Sequence, residues 1–229
     1  FVFMDVSAPW PDDRAELEPL VPFYDELIER LRSLPGVDAV AGISLAPGSG
    51  GGWDGTPVSQ GHPDEIQSFD DLAAVSSDPG RSARGTEYRL ASEDYFTAVG
   101  IPLLRGRVFE RGDGPDAQRV AVVSRSLAER LWPGVDPIGK LVQFDMGGDL
   151  RPSTVVGIVG DIHDLGLERD PAPTFYPPSR QRPWSLTIFQ IVFRTPDSAS
   201  VMPAAREIVQ RMNTGLMPQF RTSEQAYAA

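Results

Sequence analysis

The spacing of hydrophobic positions near the start of the chain predicts a strand, a helix and a second strand. The segment FVFMDV at 1–6 alternates apolar and polar residues in its second half, as a half-buried strand does. Apolar residues then recur at steps of three and four from Leu20 to Leu34, which predicts an amphipathic helix that Gly36 ends. The segment VDAVAGISLAP follows as a strand. We expect the two strands to run parallel in one sheet.

The same order of elements returns at the other end of the chain. The segment LTIFQIVFRT predicts a strand that Pro196 ends, and apolar residues at helical spacing predict a helix from Met202 to Leu216. The segment PQFRTSEQ predicts a short strand and the start of another helix. There is no exact internal repeat, yet these two β-α-β units are candidates for similar halves of one small sheet.

The middle of the chain is predicted to be mainly β. Four segments are predicted to be strands, namely EYRLAS, RVAVVS, KLVQFD and STVVGIVGDI, and the segment PTFYPPSR is predicted to be extended. Ser92 and Ser124 are predicted to cap short helices, the first of which Gly100 ends. Residues 48–85 are rich in glycine, serine, proline and aspartate, which predicts long loops with little regular structure.

These patterns predict an α+β fold with two lobes. One lobe combines the two β-α-β units from the chain ends, at residues 1–48 plus 186–229. The other is an inserted, mainly β lobe with short helices, at residues 49–185.

Composition narrows the classes of function. The 229 residues carry a formal net charge of −11, which argues against non-specific binding to nucleic acid and to anionic lipid surfaces. The chain has no cysteine, which excludes disulfides, cysteine zinc sites and thiol nucleophiles. No apolar run approaches the roughly 20 residues that span a bilayer. Because the chain begins without methionine, inside a predicted strand, we interpret it as a piece of a longer protein.

Candidate catalytic and metal-binding patterns are incomplete. His163 lies between Asp161 and Asp164, so three potential metal ligands fall within four residues, but no distant ligand completes the set. A hydrolase using His163 with either aspartate is the enzymatic alternative. The glycine-rich PGSGGGWDG lacks the Gly-Lys-Ser/Thr ending of a phosphate loop, and no GxSxG motif is present. We therefore predict no catalytic residues, no metal and no cofactor.

Three residues are candidate partner contacts. Trp53 is predicted to be an exposed aromatic residue on the glycine-rich loop. Arg105 and Arg107 flank Gly106 in the segment YFTAVGIPLLRGR. The two guanidinium groups suit an anion or carboxylate clamp, although pairing with local acids is the favoured reading.

The acids available for that pairing are Glu110 and Asp113. In the same segment Leu103 and Leu104 are expected to continue the core, and Pro102 keeps the preceding residue extended. We therefore interpret the segment as a helix-turn-strand joint of the scaffold.

Four ordered motifs resemble a known family. They are RLASEDYFTAVGIPLLRGRVFERGD, RVAVVSRSLAERLWPGVDPIGKLVQF, TVVGIVGDIHDLGLERDPAPTFYPP and FYDELIERLRSLPGVDAVAGISLAP. Together they resemble the MacB-like periplasmic core domain of ABC transporter permeases of the macrolide-exporter and lipoprotein-release type. The resemblance is nearest to the branch with duplicated permease domains. It departs from the family at Ser124, where asparagine is usual, and in the glycine-rich stretch.

The resemblance implies a non-catalytic domain on the extracytoplasmic, periplasmic face of the cell membrane. Such a domain hangs between the first two membrane helices, so the two ends of this sequence should meet, and the fragment alone should be soluble. The terminal lobe would be porter-like and the inserted lobe sabre-like. The implied function is mechanotransmission, in which ATP hydrolysis by a separate nucleotide-binding subunit or domain drives export or envelope work.

The implied partners are a second permease copy, which forms a dimer in the full-length protein, and the ATP-binding subunit or domain. A periplasmic adaptor is a further candidate, and no nucleic acid is expected. The alternative function is a ligand- or peptide-binding extracytoplasmic module without transport coupling. That alternative predicts a concave, apolar pocket between the lobes. The sequence does not indicate the cargo.

Overall fold

The computed structural model describes residues 1–6, 17, 19–46, 53–146, 150–162, 170–213 and 215–227. The strands are β1 (Val2–Asp5), β2 (Ala39–Ile43), β3 (Trp53–Gly55), β4 (Val58–Gln60), β5 (Thr86–Tyr88), β6 (Leu103–Gly106), β7 (Val120–Ser124), β8 (Leu141–Gln143), β9 (Ser153–Val159), β10 (Thr174–Tyr176), β11 (Gln190–Arg194) and β12 (Gln219–Thr222). The helices are α1 (Leu20–Arg32), α2 (Phe69–Ser76), α3 (Tyr95–Val99), α4 (Arg125–Leu131), α5 (Ser198–Met212) and α6 (Ser223–Tyr227).

The two ends of the chain build a four-stranded sheet in the order β12-β1-β11-β2, with every neighbouring pair antiparallel. Strands β1 and β2 therefore run parallel, as predicted, but β11 of the other unit lies between them. Strands β11 and β12 are likewise parallel, with β1 between them. Two interleaved β-α-β units of this kind are the split arrangement of ferredoxin-like folds. We call this sheet, with α1, α5 and α6, the terminal lobe.

The two ends of this sequence lie side by side. Val2 of β1 is paired with Thr222 of β12, and the Ser223 N–H donates a 3.0 Å hydrogen bond to the Phe1 carbonyl. The predicted proximity of the ends is confirmed.

The middle of the chain forms an eight-stranded mixed sheet in the order β3-β5-β10-β7-β9-β8-β4, with β6 attached to β9. The pairs β5–β10 and β7–β9 are parallel and the other pairs are antiparallel. Rings of Tyr88, Phe144 and Phe175 pack against one another at centroid distances of 5.1 to 5.7 Å. We call this sheet, with α2, α3 and α4, the inserted lobe. The α+β fold with a mainly β insertion is confirmed.

The prediction of long loops with little regular structure across residues 48–85 is wrong for the described part of that stretch. Residues 53–85 contain β3, β4 and α2. Helix α2 begins in a capping box, in which Ser68 and Asp71 exchange side chain–backbone hydrogen bonds. Strands β3 and β4 form because β5 and β8 supply their hydrogen-bond partners. Those partners are distant in sequence, so local composition does not show them.

Helix α5 begins and ends four residues earlier than predicted. The Asp197 carboxylate accepts a hydrogen bond from the Ser200 N–H at 3.2 Å, which starts the helix before Met202. The buried face is Val201, Ala205 and Val209, so the predicted periodicity holds while the bounds shift.

Candidate functional site

Residues 89–92, which we call the bridging segment, connect the two sheets in one hydrogen-bond network. On one side the segment continues the pairing of β5 with the chain around β10. The Arg89 N–H donates to the Phe175 carbonyl at 3.0 Å, and the Ala91 N–H donates to the Pro177 carbonyl at 3.2 Å. The segment therefore belongs to the eight-stranded sheet along this edge.

Its other side is bonded to β2, the edge strand of the four-stranded sheet. The Ser44 N–H donates to the Leu90 carbonyl and the Ser92 N–H donates to the Gly42 carbonyl, both at 2.9 Å. In return the Leu90 N–H donates to the Ser44 hydroxyl at 3.0 Å, and the Gly42 N–H donates to the Ser92 hydroxyl at 2.8 Å. Two serine hydroxyls thus take the place of backbone carbonyls, and this part of the β2 edge is covered.

This use of Ser92 corrects its predicted role. Helix α3 begins at Tyr95 with Asp94 before it, and no side chain caps it. The Ser92 hydroxyl accepts from a strand of the other lobe, 50 residues away in sequence. The predicted helix end is confirmed, because Gly100 adopts a left-handed conformation at φ 80° and its N–H donates to the Phe96 carbonyl.

Buried polar groups lie beside the bridging segment. Arg89 is 2% exposed, and its guanidinium lies 3.1 Å from the Glu87 carboxylate and donates to the Leu45 carbonyl at 3.3 Å. A charge buried this deeply is tolerated only with such partners, because its desolvation is costly. The Arg89–Leu45 bond joins the inserted lobe to the chain that follows β2. Nearby, within the terminal lobe, the Ala46 N–H donates to the Gln190 side-chain oxygen at 2.8 Å.

A cleft of about 490 Å³ lies between α1 and the start of α3. Arg180 crosses it: its Nη2 donates to Asp25 of α1 at 2.7 Å, and its Nη1 donates to Glu93 at 2.9 Å. A second ion pair joins Arg32 of α1 to Asp94 at 2.6 Å. The cleft is therefore bridged by charged pairs that connect the two lobes.

Glu93 is the carboxylate whose protonation the cleft perturbs. Burial raises the pKa of Glu93, and although the Arg180 charge opposes that shift, the negative charges of Asp94 and Asp25 add to it. Ionising Glu93 therefore costs more free energy in the folded protein than in the unfolded chain.

Of the predicted partner contacts, Trp53 differs most from expectation. It is half-buried in β3, where it pairs with Tyr88, and the two ring centroids are 6.4 Å apart. It is not an exposed aromatic residue on a loop.

The two predicted arginines are both engaged in ion pairs. Arg107 binds Asp113 in a bidentate pair at 2.7 and 2.9 Å, which confirms the local pairing. Arg105 instead binds Asp136 at 2.6 Å, 31 residues further along the chain. Neither Glu110 nor Asp113 is the partner of Arg105 among the described residues. The two guanidinium groups therefore bind two different carboxylates.

The prediction that Leu103 and Leu104 continue the core is wrong. Each is 44% exposed. They lie in β6, which is attached at the margin of the sheet through β9, so the two faces of this strand remain largely open. The helix-turn-strand joint itself is present, as α3, Gly100 and β6 in succession.

The candidate metal and hydrolase residues are only partly described. His163 and Asp164 lie outside the described residues. Asp161 accepts hydrogen bonds from the Ser126 N–H at 3.0 Å and the Ser126 hydroxyl at 2.6 Å. In the part of the chain that the structure describes, no group of three or more histidine, cysteine, aspartate or glutamate residues is placed to hold a metal ion.

The same described residues contain no helix with the length and apolar character needed to cross a membrane.

The residues that join the lobes were missed at the sequence level. The alternation of Glu87 and Arg89 in a predicted strand is a signal, because charged residues on one face of a buried strand require partners. No such signal exists for Arg180, whose partner Asp25 is 155 residues away.

Comparison with known proteins places these features in a family. The model of the MacB-like periplasmic core domain matches residues 6–211. The macrolide export ATP-binding/permease protein MacB of Neisseria gonorrhoeae is 33% identical over 67 residues, which are 29% of this chain and 10% of that protein. The probable export ATP-binding/permease protein MacB of Pseudomonas entomophila is 35% identical over 75 residues, 32% of this chain and 11% of that protein. The chain thus matches about a tenth of the length of these relatives.

Solved structures show the same fold at low sequence identity. The periplasmic region of MacB from Actinobacillus actinomycetemcomitans has a TM-score of 0.60 at 16% identity, over 97% of this chain and 88% of that one. The extracellular domain of the noncanonic ABC-type transporter YknZ from Gram-positive bacteria has a TM-score of 0.56 at 16% identity, over 97% of this chain and 100% of that one.

Proposed function

Because this chain belongs to the family of MacB-like periplasmic core domains, extracytoplasmic domains of ABC-type transporter permeases, we propose that it works by mechanotransmission. In this function the domain makes no chemical bond. It moves when ATP is hydrolysed on the cytoplasmic side, and its movement performs export or envelope work. The observation that carries the proposal is the family match over residues 6–211.

Two features of the fold support the proposal. The hydrogen bond between Ser223 and Phe1 holds the two ends of the sequence together, as a domain attached to a membrane at both ends requires. The two sheets also support a division into a porter-like lobe at residues 1–48 plus 186–229 and a sabre-like lobe at residues 49–185. Movement at the ends would enter the first lobe and reach the second.

The proposed partners follow from the same premise. We propose a second copy of the permease, an ATP-binding subunit or domain that carries out the hydrolysis, and a periplasmic adaptor. Trp53, Arg105 and Arg107 remain proposed contact residues. Of these, Arg105 is the most accessible, since its side chain is 58% exposed.

The test measures distances between the two domain copies in the parent transporter. Because this chain has no cysteine, an exposed residue such as Ala74 on α2 can be replaced by cysteine and spin-labelled without background from the domain. Ala74→Cys in the parent transporter, in lipid and with its ATP-binding partner, should show a different inter-copy distance when non-hydrolysable ATP analogue is added. Identical distances with and without nucleotide, in a transporter that hydrolyses ATP, would refute mechanotransmission.

The alternative function, a ligand- or peptide-binding module, can be judged from the lining of the inter-lobe cleft. That function requires a largely apolar pocket, whereas most residues that line this cleft are charged, and among them Arg180 pairs with Asp25 and Arg32 pairs with Asp94. The lining therefore favours the transport proposal. A rise of several degrees in the unfolding midpoint with a small molecule or peptide would support the alternative instead.

A further inference from the structure

We infer that the two lobes move as one rigid body, and that the bridging segment with Ser44 and Ser92 fixes their relative orientation. This inference rests on the proposed function, because a domain that transmits movement must not bend where its lobes meet. The rigidity of the junction can be measured on the isolated chain.

The hydrogen bonds across the junction are continuous with both sheets. Strand β1 pairs with β11, β11 pairs with β2, and β2 is bonded to the bridging segment, which in turn continues the β5–β10 ladder. Ser44 and Leu90 are completely buried where they bond to each other. Opening the junction would break all of these hydrogen bonds together, and any donor or acceptor that water did not reach would lose its partner, which costs more than the bond itself contributes.

The apolar core also crosses the junction. One buried cluster combines Met4 and Tyr24 of the terminal lobe with Tyr88 and Val123 of the inserted lobe. A second cluster combines buried residues of β2 and β11 with those of β7, β9 and β10, and it includes α3, which packs directly on β2 and β11. A hinge between the lobes would have to expose part of these clusters to water, which costs free energy in proportion to the apolar area exposed.

The charged pairs of the cleft act on the outer side of the same junction. Arg180 and Arg32 each join an acidic residue of one lobe to the other lobe, as described above. These pairs are partly exposed and contribute little individually. Their position is what matters, because they resist rotation of α1 away from the start of α3 while the buried bonds resist separation.

Movement at the chain ends would therefore be transmitted across the sheet, from each strand to its hydrogen-bonded neighbour. A displacement of β1 and β12, where the chain ends lie, passes through β11 to β2 and from β2 to the bridging segment. Every step of that path is a row of backbone or serine hydrogen bonds.

The first test is amide hydrogen exchange of the 229-residue chain. The N–H groups of Ser44, Leu90 and Ser92 should exchange within roughly ten-fold of the Val122 N–H in the core strand β7. If the lobes hinge apart, these three amides exchange at least about a hundred-fold faster than Val122, because each opening exposes them without global unfolding. That outcome would overturn the inference.

The second test measures the inter-lobe distance directly. Spin labels at Ala74→Cys in α2 and Gln210→Cys in α5, both exposed, should give one narrow distance distribution in this cysteine-free chain. Ser92→Ala should widen that distribution by about two-fold, since the Gly42 N–H loses its partner. Ser33→Ala is the matched control, because its exposed hydroxyl bonds within the end of α1, and it should leave the width unchanged.

Two populated distances in the unmodified chain would refute rigidity, as would a Ser92→Ala distribution as narrow as that of the control. If Ser92→Ala fails to fold, the distance distribution and exchange rates of the unmodified chain still decide the question. Neither measurement uses nucleotide or membrane. A failure here therefore rejects the rigid junction and leaves the transport proposal standing, whereas unchanged inter-copy distances in the parent transporter reject the transport proposal alone.

Discussion

Gly106 shows how a single position constrains the joint between α3 and the sheet. Its φ is +72°, and a Cβ placed there would lie 2.1 Å from the Val156 carbonyl oxygen. The next residue, Arg107, donates its N–H to that same oxygen at 2.9 Å. The backbone of β6 can approach β9 this closely only without a side chain.

Gly106→Ala should lower the free energy of unfolding by at least about 2 kcal/mol, because it combines the left-handed backbone strain with a backbone clash. Gly134→Ala is the matched control: its φ is also +72°, yet no heavy atom lies within 4 Å of the added Cβ. The control should cost only about 1 kcal/mol, from strain alone. Denaturant unfolding of both variants measures the difference, and equal costs would show that β6 relaxes away from Val156.

At the scale of elements, Ser124 links a strand, a helix and a neighbouring strand. It ends β7, and its hydroxyl accepts the Leu127 N–H at 3.3 Å, which confirms the predicted cap of α4. The same hydroxyl accepts the Thr174 N–H at 2.9 Å, at the start of β10. One buried side chain therefore sets both the start of the helix and the position of the adjacent strand.

Ser124→Ala should lower the free energy of unfolding by about 2 kcal/mol, since it removes a helix cap and leaves the buried Thr174 N–H without a partner. Ser68→Ala removes the exposed cap of α2 alone and should cost about 1 kcal/mol. Chemical denaturation compares the two. A cost for Ser124→Ala no larger than that for Ser68→Ala would mean that the bond to Thr174 contributes nothing.

At the scale of the whole molecule, the cleft links stability to pH through Glu93. Its pKa is raised above the ordinary value of 4.5, first by burial, so the folded protein binds this proton more tightly than the unfolded chain. The charge of Glu93 therefore lowers stability at pH values above its folded pKa. That cost disappears as the pH falls through the folded pKa and below 4.5.

Glu93→Gln should raise the free energy of unfolding at pH 7 by up to about 1 kcal/mol, because glutamine removes the charge and keeps an oxygen that accepts from Arg180. The difference from the unmodified chain should vanish when unfolding is measured below pH 4.5. A loss of stability at pH 7 would show that the attraction to Arg180 outweighs the burial of the charge.

Elements with a strong local period were predictable without the fold. The apolar repeat in α1, the runs in β7 and β11, and the stop at Gly100 depend on residues close in sequence, so their spacing was sufficient. The ordered family motifs were equally visible, because they are local. Strands β3 and β4 were not, since their segments WDG and VSQ lie among glycine, serine and proline residues and form strands only against β5 and β8.

The junction between the lobes depended on distances that no local pattern contains. A serine hydroxyl can cap a helix or accept from a strand, and Ser92 does the second because β2 passes beside it. Leu103 looked like a core residue, but an apolar side chain is buried only where another layer covers it, and β6 lies at an open margin. Local order therefore specified the elements and the family, while the partners of Ser92, Arg105 and Arg180 were selected by the packing of the two sheets, because each partner lies at least 31 residues away.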